Sequence, residues 1–438
     1  DVGARRAVPE PNGSDFIYQI QGDFIRPFDL SRAPLFRSGL FELPGGHHAW
    51  LVDIHHIIAD GASAAILAED FISLYKGEES AALPIHYKDF SAWQNRVAGR
   101  RDIAEQEAYW LELYAGEIPV LDLPADFERP AVFSFAGAMI DFTLTGADAV
   151  TFKSMASANG ATLYMNVLAA LNTLFHKYTG RTDIIIGTVI SGRRHADIQR
   201  VLGMFANTLT MRNYPADEKD YSSFLKEVTA HSVAAFENQD VQFETLVEKL
   251  DLQRDPARNP LFDVSMVLQD FRQADAVLSI FPGEAEQTGF DTPAPGNRNG
   301  TAKFDMTVSV FEKGSDIHIE VEYYTGIFKE TTIERLVTHF RNIIKSVNEN
   351  PFIKLKDIEI MSLQEKRDVL FQFNETAAGR APRQEEYRHE KTLHELFAEQ
   401  AAKTPDHTAL VGPGYADRAG IKKKSTRRRS DMSYTSYR

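Results

Sequence analysis

The 438-residue chain contains no cysteine. That absence removes disulfides, thiolate metal sites and thiol nucleophiles together, and it fits a cytoplasmic setting. No run of 18 or more apolar residues is present, so no segment reads as spanning a membrane. Residues 1–15 carry no apolar core of the signal-peptide kind. Basic charge is short too: 48 Lys and Arg stand against 62 Asp and Glu, a formal net charge of −14. Phosphate backbones attract basic surfaces, so the balance argues against a nucleic-acid partner. The local exception, KKKSTRRR at 422–429, has no interleaved aromatics and reads as a solvated tail. No period of 20–50 residues recurs, which excludes solenoids and propellers.

What remains is an ordinary globular composition, 43% hydrophobic and 25% charged. Short apolar runs alternate with longer helical patterns, which predicts a mixed α/β fold. Ala49–Ile54 reads as a strand running into His55, and a helix follows Gly61. Arg101–Leu113 reads as a helix, and the proline-bearing stretch 119–130 as a linker. Beyond it, strands are expected at Met139–Leu144, Asp183–Ile190, Phe262–Leu268, Lys303–Phe311 and Ile317–Tyr324. Helices are expected at Ala147–Ala158, Leu163–Tyr178, Tyr221–Glu237, Val241–Leu250 and Thr331–Asn348, with Gly180 as a helix stop. Four stretches result: 1–121, 122–361, a more polar 362–411, and an unstructured basic tail at 412–438.

The sharpest local pattern is His55-His56-Ile57-Ile58-Ala59-Asp60-Gly61. A strand delivers two imidazoles to a loop that turns at Asp-Gly. Adjacent residues on an extended chain face opposite ways, so one ring can face a cleft and the other the interior. Imidazole suits proton transfer near neutral pH. Metal binding competes on residue type, but adjacent strand residues converge poorly on one ion, and no metal is assigned. On pattern alone, two structural histidines beside a tight turn fit equally well. His47-His48, His176 and His195 lack a following Asp-Gly and read as turn, packed and solvent-facing residues.

This segment resembles the His-His-x-x-x-Asp-Gly signature of nonribosomal peptide synthetase condensation domains, and five further blocks resemble that family in order. They are Tyr87–Trp93 (YKDFSAW), Leu202–Thr208 (LGMFANT), Asn238–Glu244 (NQDVQFE), Arg254–Leu261 (RDPARNPL) and Lys303–Thr307 (KFDMT). With His55–Gly61 they make six motifs in order, spread over roughly 250 residues. Leu393–Val411 resembles the start of an adenylation domain. The family's opening motifs are absent, which implies an N-terminally truncated first half. Gln242 stands where proline is usual.

The resemblance implies an α/β fold of the α+β sandwich type, with two chloramphenicol-acetyltransferase-like halves in a V-shaped pseudo-dimer. It implies peptide-bond formation between an upstream carrier-bound thioester and a downstream carrier-bound amine, both tethered to 4'-phosphopantetheine, with no cofactor bound by the domain itself. Partners would be upstream and downstream peptidyl carrier domains and an adjacent adenylation domain. By resemblance His56 is the base or hydrogen-bond partner and His55 its companion. Asp60 pairs with Arg193, Gly61 brings an N–H towards the reacting carbonyl, and Asn207 supports the cleft. The rival readings are an epimerisation domain, a stand-alone acyltransferase and a non-catalytic carrier-binding remnant.

Overall fold

A computed structural model describes residues 24–42, 48–79, 82–97, 101–252, 255–269, 300–372 and 402–403. The chain divides into two compact units, Asp1–Met361 and Ser362–Arg438. In the second unit the helix Leu363–Arg367 opens on a reciprocal cap, Ser362 accepting from Glu365 N–H and Glu365 from Ser362 N–H. Most of the polar stretch 362–411 and all of the tail 412–438 lie outside the described residues, as does Arg254.

The first unit begins with β1 (Phe36–Glu42) and β2 (His48–Ile54), an antiparallel pair in which Phe36 faces Ile54. Helices α1 (Gly61–Tyr75), α2 (Tyr87–Val97) and α3 (Arg101–Leu113) follow. Trp50 on β2 stacks on Phe71 of α1, ring centroids 4.0 Å apart, and so fixes that helix against the hairpin.

A six-stranded mixed sheet forms the larger body, in the order β3-β8-β7-β6-β4-β5. Its strands are β3 (Gly137–Leu144), β4 (Ile184–Ile190), β5 (Asn207–Asn213), β6 (Val264–Gln269), β7 (Met306–Lys313) and β8 (Asp316–Tyr324). The β4–β6 and β6–β7 pairs are parallel and the others antiparallel. β4 is a β-branched run buried from Ile184 to Thr188, as a strand covered on both faces requires.

Four helices pack on this sheet: α4 (Gly146–Ala158), α5 (Leu163–Thr179), α6 (Tyr221–Glu237) and, after the short α7 (Phe243–Lys249), α8 (Glu330–Glu349). Every residue of α5 from Leu163 to His176 is buried, so this helix lies between layers rather than on a surface. It stops at Gly180, whose φ of +66° is the left-handed cap that glycine supplies. α8 buries one stripe, Ile333, Leu336, Val337, Phe340, Ile343, Ile344 and Val347. Each of these apolar side chains stabilises by roughly 1.5–3 kcal/mol on leaving water.

β6 starts two residues later than its apolar pattern suggests, because Leu261 sits at φ +70° and the chain turns there. β7 starts three residues late because Asp305 is held before the strand by the guanidinium of Arg129. α3 packs into the larger core: Trp110 is 2% exposed and its indole N–H donates to Asn238 O at 2.8 Å.

Candidate functional site

β2 ends at Ile54 and hands the chain to His55, whose backbone is extended, before a single 3-10 turn at His56–Ile58. His55 is half-buried against the edge of Phe28, and its Nδ1 accepts the Ile57 N–H at 3.1 Å. His56 is exposed, and its Nδ1 lies 2.8 Å from Ala59 O. A carbonyl only accepts, so the hydrogen-bond network puts the His56 proton on Nδ1 and leaves the Nε2 lone pair free in the neutral ring. The same logic gives His55 the opposite tautomer. One ring is used up locally; the other offers a basic nitrogen to solvent.

Asp60 caps α1. Its Oδ1 accepts Ser63 N–H and Ser63 Oγ–H, both at 2.8 Å, and Arg193 Nη2–H at 2.9 Å. Its Oδ2 accepts Phe205 N–H at 3.1 Å. Burial alone would raise this carboxyl, but the donors from Ser63, Arg193 and Phe205 outweigh it and hold Asp60 below its ordinary value. Arg193 is equally buried. Its Nη1 donates to Ile198 O and Val201 O at 2.8 and 2.6 Å, and its plane lies over the Phe205 ring, 4.1 Å from the centroid. The pair therefore joins the N-terminus of α1 to the segment between β4 and β5, 133 residues away in sequence.

That segment is moulded onto α1 and α2. Tyr87 donates its hydroxyl to Met204 O at 2.9 Å, and the rings of Tyr87 and Phe90 pack on Phe205. A Cβ on Gly203 would stand 2.1 Å from the Tyr87 ring, and one on Gly192, at φ +63°, 2.0 Å from Phe205 O. Asn207 is occupied on all sides: Nδ2 donates to Gln239 O and Val241 O, and Oδ1 accepts from the N–H groups of Thr208 and Phe243. Its side chain clips 239–243 onto β5 and makes no hydrogen bond to the histidine turn.

Of the residues expected from sequence, His55, His56, Asp60 and Gly61 thus form one turn, and Arg193 reaches it directly. Gly61 begins α1, and among the described residues its N–H and that of Ala62 find no hydrogen-bond acceptor. The sequence assigns Ser63 no role, and matches the block at Tyr87 to the family without saying what its rings touch. The only local signal for Ser63 was its place three residues after a capping aspartate. His176 is buried with Nδ1 on Arg181 O and Nε2 on Asp217, while His195 is exposed beside Trp93. Among the described residues no group of three or more His, Asp or Glu is placed to hold a metal ion. Nor is any described helix long and apolar enough to cross a membrane.

A second charged cluster sits where the linker meets the starts of β6 and β7. Arg129 clamps Asp305, and Arg258 reaches Asp263 and Asp122 at 2.7 and 3.0 Å. Burial pushes the Asp263 carboxyl up to about 6, with the nearby Asp305 charge adding to the effect against Arg258 and Arg129.

The Condensation domain family model matches residues 11–370. Tyrocidine synthase 3 of Brevibacillus parabrevis is 44% identical over 391 residues, 89% of this chain and 6% of that protein. Bacitracin synthase 3 of Bacillus licheniformis is 42% identical over 395 residues, 90% of this chain and 6% of that protein. The chain therefore spans a small fraction of these relatives. Among solved structures, the X-domain from teicoplanin biosynthesis superposes with TM-score 0.70 at 22% identity, covering 82% of this chain and 81% of that one. The condensation domain of the monacolin K polyketide synthase gives 0.66 at 19%, covering 80% and 79%. At these identities the likeness establishes a common fold.

Proposed function

The chain belongs to the condensation-domain family, and from that premise we propose that it forms amide bonds between two carrier-tethered substrates. The donor is an acyl or peptidyl thioester on an upstream carrier domain, and the acceptor is the amine of an aminoacyl group on a downstream one. Both hang from 4'-phosphopantetheine, and an adenylation domain loads the acceptor. The amine nitrogen attacks the thioester carbon, a C–N bond forms, the carbonyl becomes an oxyanion, and the C–S bond breaks as it re-forms. The nitrogen loses one proton and the departing sulfur takes one.

The thioester is already activated, so orientation is the largest contribution. His56 Nε2 holds or accepts the proton of the attacking amine, which adds about 10²–10⁴-fold. The N–H of Gly61, at the positive end of the 15-residue α1, faces the developing oxyanion. His55 orders the turn, while Asp60 and Arg193 hold it against the segment before β5. Asn207 braces the neighbouring chain.

The observation that carries this reading is the His56 ring itself. It is exposed, fixed through Nδ1, and sits on a turn bonded to a distant part of the chain. The test is condensation between a loaded donor carrier and a loaded acceptor carrier, run with the wild type and with His56→Ala. Product from the wild type and a loss of 10²-fold or more in the variant is expected. Equal product from both removes the role of His56, and none from either favours a carrier-binding remnant. Inversion of a single loaded carrier's α-carbon, without transfer, would identify an epimerisation domain.

A further inference from the structure

We propose that Ser63 is a positioning residue whose hydroxyl, set between Asp60, Arg193 and Gly203, fixes where the His56 turn stands against the rest of the molecule. The inference rests on the condensation reading for its effect on rate, and on the hydrogen bonds of Ser63 for its effect on geometry.

Ser63 is 2% exposed, and its Oγ meets four polar groups. Asp60 Oδ1 lies at 2.8 Å and Gly203 O at 2.9 Å, while Gly203 N and Arg193 Nη2 both lie at 3.1 Å. A hydroxyl has one proton and two lone pairs. The two N–H groups only donate, so they fill the lone pairs. The single proton is then shared between Asp60 Oδ1 and Gly203 O. Asp60 Oδ1 keeps two other donors, Ser63 N–H and Arg193 Nη2–H. Gly203 O is also approached by Asp60 N–H at 3.3 Å and by Arg193 Nη2–H at 3.4 Å. Among the described residues, Ser63 is thus the only side chain bonded to both partners of the buried ion pair and to both backbone groups of Gly203.

Gly203 transmits this contact. It is squeezed between Ser63 on one side and the Tyr87 ring on the other, with no room for a Cβ. Two helices therefore grip one peptide from a loop 140 residues further on. On the other side of the joint, Asp60 follows Ala59, and Ala59 O fixes the His56 ring. A slip at Ser63 reaches the imidazole through the Asp60 side chain and the Ala59–Asp60 peptide. Rates that depend on placement fall about 10²-fold for a displacement near 1 Å.

The test uses the full chain with three substitutions. Ser63→Ala removes the hydroxyl without adding bulk, and Ser63→Thr keeps it. His56→Ala supplies the background for a double-mutant cycle. Ser63→Ala is expected to lower kcat at least 10-fold. KM for both loaded carriers stays within about 2-fold, the pH–rate profile keeps its shape, and Ser63→Thr recovers most of the rate. In the His56→Ala background the same change has no further effect, because it acts through that ring. Wild-type kcat in Ser63→Ala, or a loss that adds fully to that of His56→Ala, overturns the proposal. A wild type that makes no product while Ser63→Ala changes the geometry below would instead fault the condensation reading.

Geometry is read independently of turnover. The chain has no cysteine, so Glu78→Cys and Phe352→Cys, both exposed positions on opposite sides of the joint, take spin labels alone. The inter-label distance distribution should shift or broaden in Ser63→Ala and return in Ser63→Thr. An unchanged distribution in Ser63→Ala overturns the proposal whatever the activity.

Discussion

Gly61 begins α1 without a left-handed φ, and a Cβ built there would meet nothing within 4 Å. Nothing in the fold asks for glycine at this point. Alanine should therefore stabilise the chain by about 0.4–1 kcal/mol, by narrowing the unfolded ensemble. Under the proposed reaction the tethered groups pass beside the His56 turn, and a methyl at Gly61 would stand in their way. Gly61→Ala is expected to melt at the same or a slightly higher temperature and to lose about 10-fold or more in condensation rate. Thermal unfolding and the carrier assay together check it; an unimpaired rate would mean that reactants do not use that space. At this scale the sequence was most readable for side chains whose chemistry is local, such as His55, His56 and Asp60. For Ser63 it held one local signal, the place three residues after Asp60, because the partners that complete its contacts, Arg193 and Gly203, are 130 and 140 residues away.

At the scale of elements, periodicity was enough for α3 and α6, which begin and end where their apolar spacing says. It failed at the starts of β6 and β7, where a left-handed Leu261 and the Arg129–Asp305 clamp override the apolar run. Neither is visible without knowing what lies across from them. Asn207 shows the same limit: its block was recognisable, but its side chain proves to be spent on 239–243. Asn207→Ala takes the side-chain partner from two carbonyls and two partly buried N–H groups. It should destabilise by about 2–3 kcal/mol in denaturant unfolding, while activity per folded molecule stays within a few-fold. Normal stability with lost turnover would instead make Asn207 a direct participant in the reaction.

Across the whole molecule, the linker is tied to the sheet by charge. Arg129 and Asp122, both in the proline-bearing stretch, engage Asp305 and Arg258, and Arg258 in turn engages Asp263. Composition announced a surplus of acid but not which carboxylates would be buried together. Asp263 faces Asp305, Arg258 and Arg129, and its carboxyl is pushed up to about 6 by burial first and by Asp305 second. A carboxyl raised in this way binds its proton more tightly in the folded chain than in the unfolded one, where its pKa is about 3.9. Its contribution to stability is complete below that value and is lost as pH rises towards 6. Asp60 and Asp220, held below their ordinary values, act in the opposite sense and lose stability as pH falls. Asn mimics the protonated acid, and Arg258 keeps Asp122, so Asp263→Asn isolates the one group. The unfolding free energy of Asp263→Asn minus that of the wild type should be small near pH 4, climb between pH 4 and 6, and level off above. Denaturant titrations across that range measure the difference, and a flat line would show that Asp263 is already ionised at no cost in the folded protein.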